Sequence, residues 1–243
     1  MPDSKTVFLH GWGLHGGIWS ETRASCCGEA PDLPGYDGMP LVAPYHAETL
    51  ADIVAGKLSE AVSLVGWSMG GMVALALAAR HPEKVARLVL VGTSPVFMNR
   101  EGWGHGLDET VLSDFAQELQ RDYRATLMRF LSLQARGGDS ARAVVTRLRD
   151  SLATRDEPTQ ALLAAGLGLL REVDLRGVAA RVTCPTLVIH GAYDTLCPVA
   201  AGEWLATHIP QARLVRHERA AHAPFISHPD WFVATLKVFL HGH

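Results

Sequence analysis

The sequence predicts an α/β protein: a mostly parallel sheet flanked by helices, with a helical cap insertion. Three observations predict this class. Short apolar runs alternate with helical stretches, which suits strands buried on both faces and joined by crossovers. Some of these runs stop at glycine, where a sheet of this kind places its chemistry-bearing loops. Residues 107–165 then break the rhythm, carrying helical stretches and no convincing strand.

The elements follow in chain order. "TVFL" (6–9) is a β-prone run that breaks at "HGWG". "AVSLV" (61–65) is a second, followed by "MGGMVALALAARHP", whose Ala, Leu and Met content suits a buried helix ending near Pro82. "VARLVLVG" (85–92) reads as a central strand. "CPTLVIHG" (184–191) repeats the strand-then-glycine form. "PVAAGEWLATHIP" (198–210) reads as a helix, "ARLVRH" (212–217) as a strand and "PDWFVATLKVFL" (229–240) as the final helix. The expected division is a core of residues 1–106 and 166–243, with a cap over 107–165.

Composition narrows the function classes. Its 243 residues, 48% hydrophobic and 19% charged, suffice for one substantial core. A formal charge of −3 argues against a general nucleic-acid partner. The amino-terminal stretch lacks the apolar region of a signal peptide, and no run of about 20 apolar residues suggests a membrane span. The four cysteines at 26, 27, 184 and 197 lack metal-type spacing, and a cytoplasmic setting with unpaired thiols is expected. No HExxH zinc motif, Walker loop or GxGxxG fingerprint occurs, so neither metal nor organic cofactor is expected.

Gly66-Trp67-Ser68-Met69-Gly70 fits G-x-S-x-G in the setting that motif requires, a strand before it and a helix after it. A turn of this kind projects the serine above the sheet, although a glycine-flanked serine can also be a bystander in a tight turn. Ser68 as a nucleophile needs a base, and the base needs an orienting acid. His222, in "ERAAHAPFISHP", stands after a strand and before the last helix, and is the first choice among twelve histidines. His228 beside Pro229 suits helix entry, His217 a strand end, His208 a helix, and His241 and His243 the tail. Asp194, in "VIHGAYDTLCP", stands just beyond a strand, where it could orient His222 or cap a local turn. The chain order Ser68, Asp194, His222 is the hydrolase order. The backbone N–H groups of Met69 and Trp12 are the expected oxyanion donors, while the Trp12 indole could line the pocket or pack.

These residues resemble the α/β-hydrolase superfamily over nearly the whole chain. More closely, "HGWGLHGGIW", "DLPGYDG", "GWSMGG", "SPVF", "RFLSLQ", "HGAYDTLCP" and "AAHAPFISHP" resemble the BioH family, the pimeloyl-acyl-carrier-protein methyl ester carboxylesterases. The resemblance implies a serine carboxylesterase of biotin biosynthesis, with Ser68 as nucleophile, Asp194 as acid, His222 as general base, and Trp12 and Met69 at the oxyanion hole. It also implies that Trp12 and Phe130 line the substrate pocket; composition alone makes Phe130 an ordinary helical core residue. The implied partners are a small ester and an acidic acyl-carrier protein. A broad short-chain carboxylesterase, a carbon–carbon bond hydrolase and a non-catalytic binding protein are the alternatives.

Between 121 and 155, eight arginines and three aspartates give a local formal charge of +5 that could steer an acidic carrier. Arg129 and Arg142 match family carrier-contacting positions. Arg124 and Arg147 stand one place from two others, Ala125 and Thr146. Two departures from the family are also expected: the usual amino-terminal strand pair is missing, and "SETRASCCGEAP" (20–31) is too short for the usual helix and full strand. Asp32 is expected to hold a turn.

Overall fold

The computed structural model describes residues 5–241. Five parallel strands, β1 (Thr6–Leu9), β2 (Val62–Trp67), β3 (Val85–Val91), β4 (Thr186–Gly191) and β5 (Ala212–His217), lie in the order β1-β2-β3-β4-β5. Every residue of β1, β2 and β4 is buried, as expected of apolar strands covered on both faces.

Helices α1 (Ser20–Cys26), α2 (Ala47–Lys57) and α3 (Met69–Arg80) precede β3. In α3 all residues from Met69 to Ala78 are buried, so its apolar all-round sequence matches its place against the sheet. Helix α2 is an element that the sequence analysis leaves unassigned, and it packs on α3 through Leu50, Ala51, Val54 and Ala55. Its apolar spacing, i, i+1, i+4 and i+5, is one stripe of a helix.

Five helices stand between β3 and β4: α4 (Glu109–Arg121), α5 (Tyr123–Leu133), α6 (Ala141–Leu152), α7 (Gln160–Glu172) and α8 (Arg176–Ala179). The division expected at 165/166 falls inside α7, which runs unbroken through Gly166 and Gly168. Glycine there does not end the helix; at Gly166 it admits a neighbour, since an added Cβ would sit 2.5 Å from Trp12 Cδ1. Helices α9 (Val199–His208), α10 (Pro224–Ser227) and α11 (Pro229–His241) complete the chain. His241 therefore ends a helix rather than lying in a tail, and His243 is outside the described residues.

The short 20–31 segment resolves into helix α1 and a single parallel bridge between Glu29 and Val7. Two backbone bonds hold it, Phe8 N–H to Glu29 O and Glu29 N–H to Thr6 O, both 2.8 Å. With few apolar side chains, this segment yields one bridge where a longer run would yield a strand. β1 is the first strand among the described residues, and residues 1–4, on which the expected absence of a strand pair bears, lie outside them. All four cysteines are free thiols. No helix among the described residues is long and apolar enough to cross a membrane.

Candidate active site

Ser68 sits between the end of β2 and the first residue of α3 with φ 54° and ψ −122°. A non-glycine residue at positive φ is strained and persists only where its surroundings over-determine it. Here they do. The Ser68 N–H donates to Val91 O at 3.0 Å, and its carbonyl accepts from the Gly71 N–H, the Met72 N–H and the Thr93 hydroxyl at 2.9, 3.2 and 2.7 Å.

The glycines around it are close-approach positions. A Cβ on Gly66 would meet Gly70 O at 2.4 Å, so the strand and helix could not fold back on each other. A Cβ on Gly70 would meet His10 O at 2.4 Å, and one on Gly11 would touch Ser68 Cβ at 3.2 Å. The loop after β1 thus lies directly against the serine turn.

Asp194 and His222, 28 residues apart in sequence, meet in a buried hydrogen bond of 2.8 Å between His222 Nδ1–H and Asp194 Oδ2. The other carboxylate oxygen accepts the Leu196 and Cys197 N–H groups at 3.0 and 2.9 Å. Nδ1 therefore carries the imidazole proton, which leaves Nε2 as the acceptor. Nε2 is buried and has no hydrogen-bond partner among the described residues, so no bond closes between it and Ser68 in this structure. Such contacts commonly tighten only when substrate binds.

His222 is clamped by its backbone from both sides. Its carbonyl accepts the Trp67 indole N–H at 2.9 Å, and its N–H donates to Gln134 O at 3.1 Å. The second contact comes from the residue that closes α5. Trp12, 1% exposed, is held in the same way from α7: its indole N–H donates to Leu163 O at 3.0 Å. Its ring packs edge-on to Phe130, with centroids 4.7 Å apart. Neither the Trp12 nor the Met69 backbone N–H is engaged by another hydrogen bond among the described residues, so both remain free to donate to a developing oxyanion.

Sequence reasoning passed over two histidines. His10, the first residue after β1, is fully buried, donating from Nδ1 to Gly11 O at 2.9 Å and accepting the Leu33 N–H on Nε2 at 3.0 Å. Burial lowers its pKa to about 4 and keeps it neutral, as this hydrogen-bond pattern requires. His190 donates from Nε2 to Cys197 O at 2.8 Å and stands 3.7 Å from Asp194 Oδ2. Burial lowers its pKa too. Its neighbour Gly202 has to be glycine, since a Cβ would lie 2.5 Å from the ring. Adjacency to the "HG" dipeptides was the available signal for both.

A cleft of about 180 Å³ runs between helices α4, α5 and α7 and the loops that follow β3 and β4. Phe97, Phe115, Phe130 and Leu167 line it, with Leu196 next to the acid loop. The carrier-contact candidates lie outside this cleft, on exposed surface. Arg124 pairs with Glu157 at 2.7 Å, Arg129 bonds Glu118 at 2.8 Å, and Arg147 pairs with Glu21. Arg142 has no ion pair among the described residues. Arg155 pairs with Asp32, whose other oxygen accepts the Gly16 N–H, so Asp32 holds a turn and anchors the cap. Four of the eight arginines in the 121–155 window are thus offset by carboxylates from outside it, and the surface is less basic than the local sequence.

Residues 6–235 match the model of the alpha/beta hydrolase family. Among curated relatives, the pimeloyl-acyl-carrier-protein methyl ester esterase of Aromatoleum aromaticum is 44% identical over 92% of this chain and 93% of its own. Its namesake from Chromobacterium violaceum is 42% identical over 96% and 93%. Among solved structures, an esterase from Exiguobacterium antarcticum superposes with a TM-score of 0.87 at 25% identity, over 98% of this chain and 92% of that one. With the family model spanning nearly the whole sequence and relatives this close, the chain belongs to the alpha/beta hydrolase family, in the group of the pimeloyl-acyl-carrier-protein methyl ester esterases.

Proposed function

We propose that this chain is a serine carboxylesterase that cleaves the methyl ester of a pimeloyl group carried by acyl-carrier protein, in biotin synthesis. The observation that carries the chemistry is the buried Asp194–His222 pair, which leaves His222 Nε2 as an unpartnered acceptor in the site that holds the strained Ser68 turn. Identity of 42–44% to relatives named for this reaction supports the substrate.

In the cycle, His222 Nε2 takes the Ser68 Oγ proton as the oxygen attacks the ester carbonyl. The Trp12 and Met69 N–H groups receive the oxyanion, an arrangement in which one donor is worth about 3 kcal/mol. Asp194 stabilises the imidazolium through Nδ1–H without taking the proton. The imidazolium then protonates the departing methanol. Water enters, His222 removes its proton, and the hydroxide opens the acyl-enzyme to release the acid and restore Ser68.

The acidic carrier would meet the cap at the exposed arginines of α5 and α6. Arg142 is the sharpest probe of this docking, because no carboxylate among the described residues pairs with it. The test combines an ester panel, a serine-reactive phosphonate and intact-mass analysis. Turnover with single labelling that vanishes in Ser68→Ala is expected. Folded protein that neither turns over nor labels would overturn the esterase reading. Equal kcat/KM on carrier-linked and matched free methyl esters, unaltered by Arg142→Glu, would leave a broad carboxylesterase instead.

A further inference from the structure

We propose that Arg136 makes the rim of the acyl cleft an anion-binding subsite, so that the enzyme favours esters whose acyl portion continues to a negatively charged group. This rests on the esterase reading above and adds a substrate class to it.

Twelve residues line the cleft, and Arg136 is the only one of them that carries a charge; Thr195 is the only other polar side chain, and the rest are apolar. Four other arginines of the 121–155 stretch, Arg124, Arg129, Arg147 and Arg155, each face a carboxylate of the chain. Arg136 is exposed and faces none among the described residues. A guanidinium at the edge of an apolar wall is less screened than one on open surface, and its planar fork matches a carboxylate or phosphate.

Position ties this charge to the reacting groups. Arg136 lies two residues beyond Gln134, whose carbonyl takes the His222 N–H at 3.1 Å. Gly138, two residues further on, is so near the same loop that a Cβ would lie 3.2 Å from Ala221 N. Of the other lining residues, Leu196 donates its N–H to Asp194, and Phe130 abuts Trp12. Apart from Thr195, the residues that line this cleft offer an acyl chain hydrocarbon and the one guanidinium. A neutral ester gains nothing there, whereas an anion gains a charge-assisted contact.

The anion could come from the terminal carboxylate of a dicarboxylic half-ester or from the phosphodiester of a carrier arm. The experiment separates these sources. kcat/KM is measured for wild type, Arg136→Gln, Arg136→Lys and Arg136→Glu on two substrate pairs. One pair is the monomethyl ester of a straight-chain dicarboxylic acid and the methyl ester of the matching monocarboxylic acid. The other is methyl-pimeloyl thioesters of phosphopantetheine and of pantetheine, which differ by the phosphate.

Arg136→Gln should cut the anionic-to-neutral preference about fivefold in one pair, the size of a partly exposed ion pair. Arg136→Lys should retain much of the preference, and Arg136→Glu should reverse it. A change confined to the first pair assigns the carboxylate, and one confined to the second assigns the phosphodiester. Unchanged ratios in both Arg136→Gln and Arg136→Glu, across both pairs, overturn the proposal. Calorimetric binding of the same pairs to Ser68→Ala reads the subsite without turnover, so failed catalysis and a failed subsite are told apart.

Discussion

Replacing Gly166 with alanine should slow the enzyme through Trp12, at a distance from the reacting atoms. Gly166 lies within α7, and the added Cβ would stand 2.5 Å from Trp12 Cδ1 and 2.8 Å from its Nε1. Ordinary contact begins near 3.4 Å, so the indole has to retreat by about 1 Å. That retreat strains the 3.0 Å bond from the indole to Leu163 O and displaces the Trp12 backbone N–H. A misplacement of about 1 Å can cost roughly 10²-fold, and full loss of an oxyanion donor about 10²–10³-fold in kcat. We expect kcat to fall between about 10- and 100-fold.

Stability should move much less. Alanine gains up to about 1 kcal/mol over glycine inside a helix, while overpacking costs about 1–3 kcal/mol, which leaves a net loss of about 0–2 kcal/mol. Gly168 supplies the internal control, because nothing lies within 4 Å of a Cβ added there. Gly168→Ala should keep full activity and melt slightly higher. The assay is kcat and KM on a short methyl ester beside thermal unfolding of both variants. Wild-type kcat in Gly166→Ala, or equal losses in both variants, would refute the coupling of the cap to the oxyanion donor.

Asp194→Asn should preserve the fold, because its carbonyl oxygen can keep the Leu196 and Cys197 N–H bonds. Its amide NH2 would then face His222 Nδ1 and drive the proton to Nε2, which can no longer accept from Ser68; kcat should drop on the order of 10⁴-fold, read by steady-state hydrolysis. His10 sets a pH dependence of stability. Its folded pKa of about 4 lies below the ordinary 6.5, so below pH 6.5 the unfolded chain binds the extra proton. Stability from this group is complete above about pH 6.5 and falls by up to roughly 3 kcal/mol on acidification to pH 4. Urea unfolding at several pH values should show that slope, and His10→Asn should flatten it. Arg155→Ala removes the cation that faces Asp32, a carboxylate with only 5% side-chain exposure. It should destabilise the protein by about 1–3 kcal/mol and speed amide exchange near residues 141–155.

What the sequence determined by itself is local and periodic. Five strands are visible in the sequence, with ends within about two residues of those observed; β1, β2 and β4 are buried throughout and so almost wholly apolar, whereas β5, with no fully buried residue, still alternates. The Ser68 turn is equally legible, since only small residues at 66, 70 and 71 permit its close approaches. Their places in loops that follow strands point to His222 and Asp194, chain order agrees, and the fold places the two side chains 2.8 Å apart. The helix α2 stripe of Leu50, Ala51, Val54 and Ala55 is present in the sequence but follows a stretch rich in proline and glycine that obscures its start.

What only the tertiary structure decided is which groups from distant segments meet. The carbonyls of Gln134 and Leu163 hold His222 and Trp12, and a backbone carbonyl leaves no mark in a sequence, since every residue has one. Four of the eight arginines over 121–155 are paired with Glu21, Asp32, Glu118 and Glu157, carboxylates from outside that stretch. A count over a window cannot see them, because charge compensation depends on distance in space. The single bridge at Glu29 and the continuation of α7 through two glycines are of the same kind. In each, the contacts that a segment finds in the folded chain outweigh its own local preference.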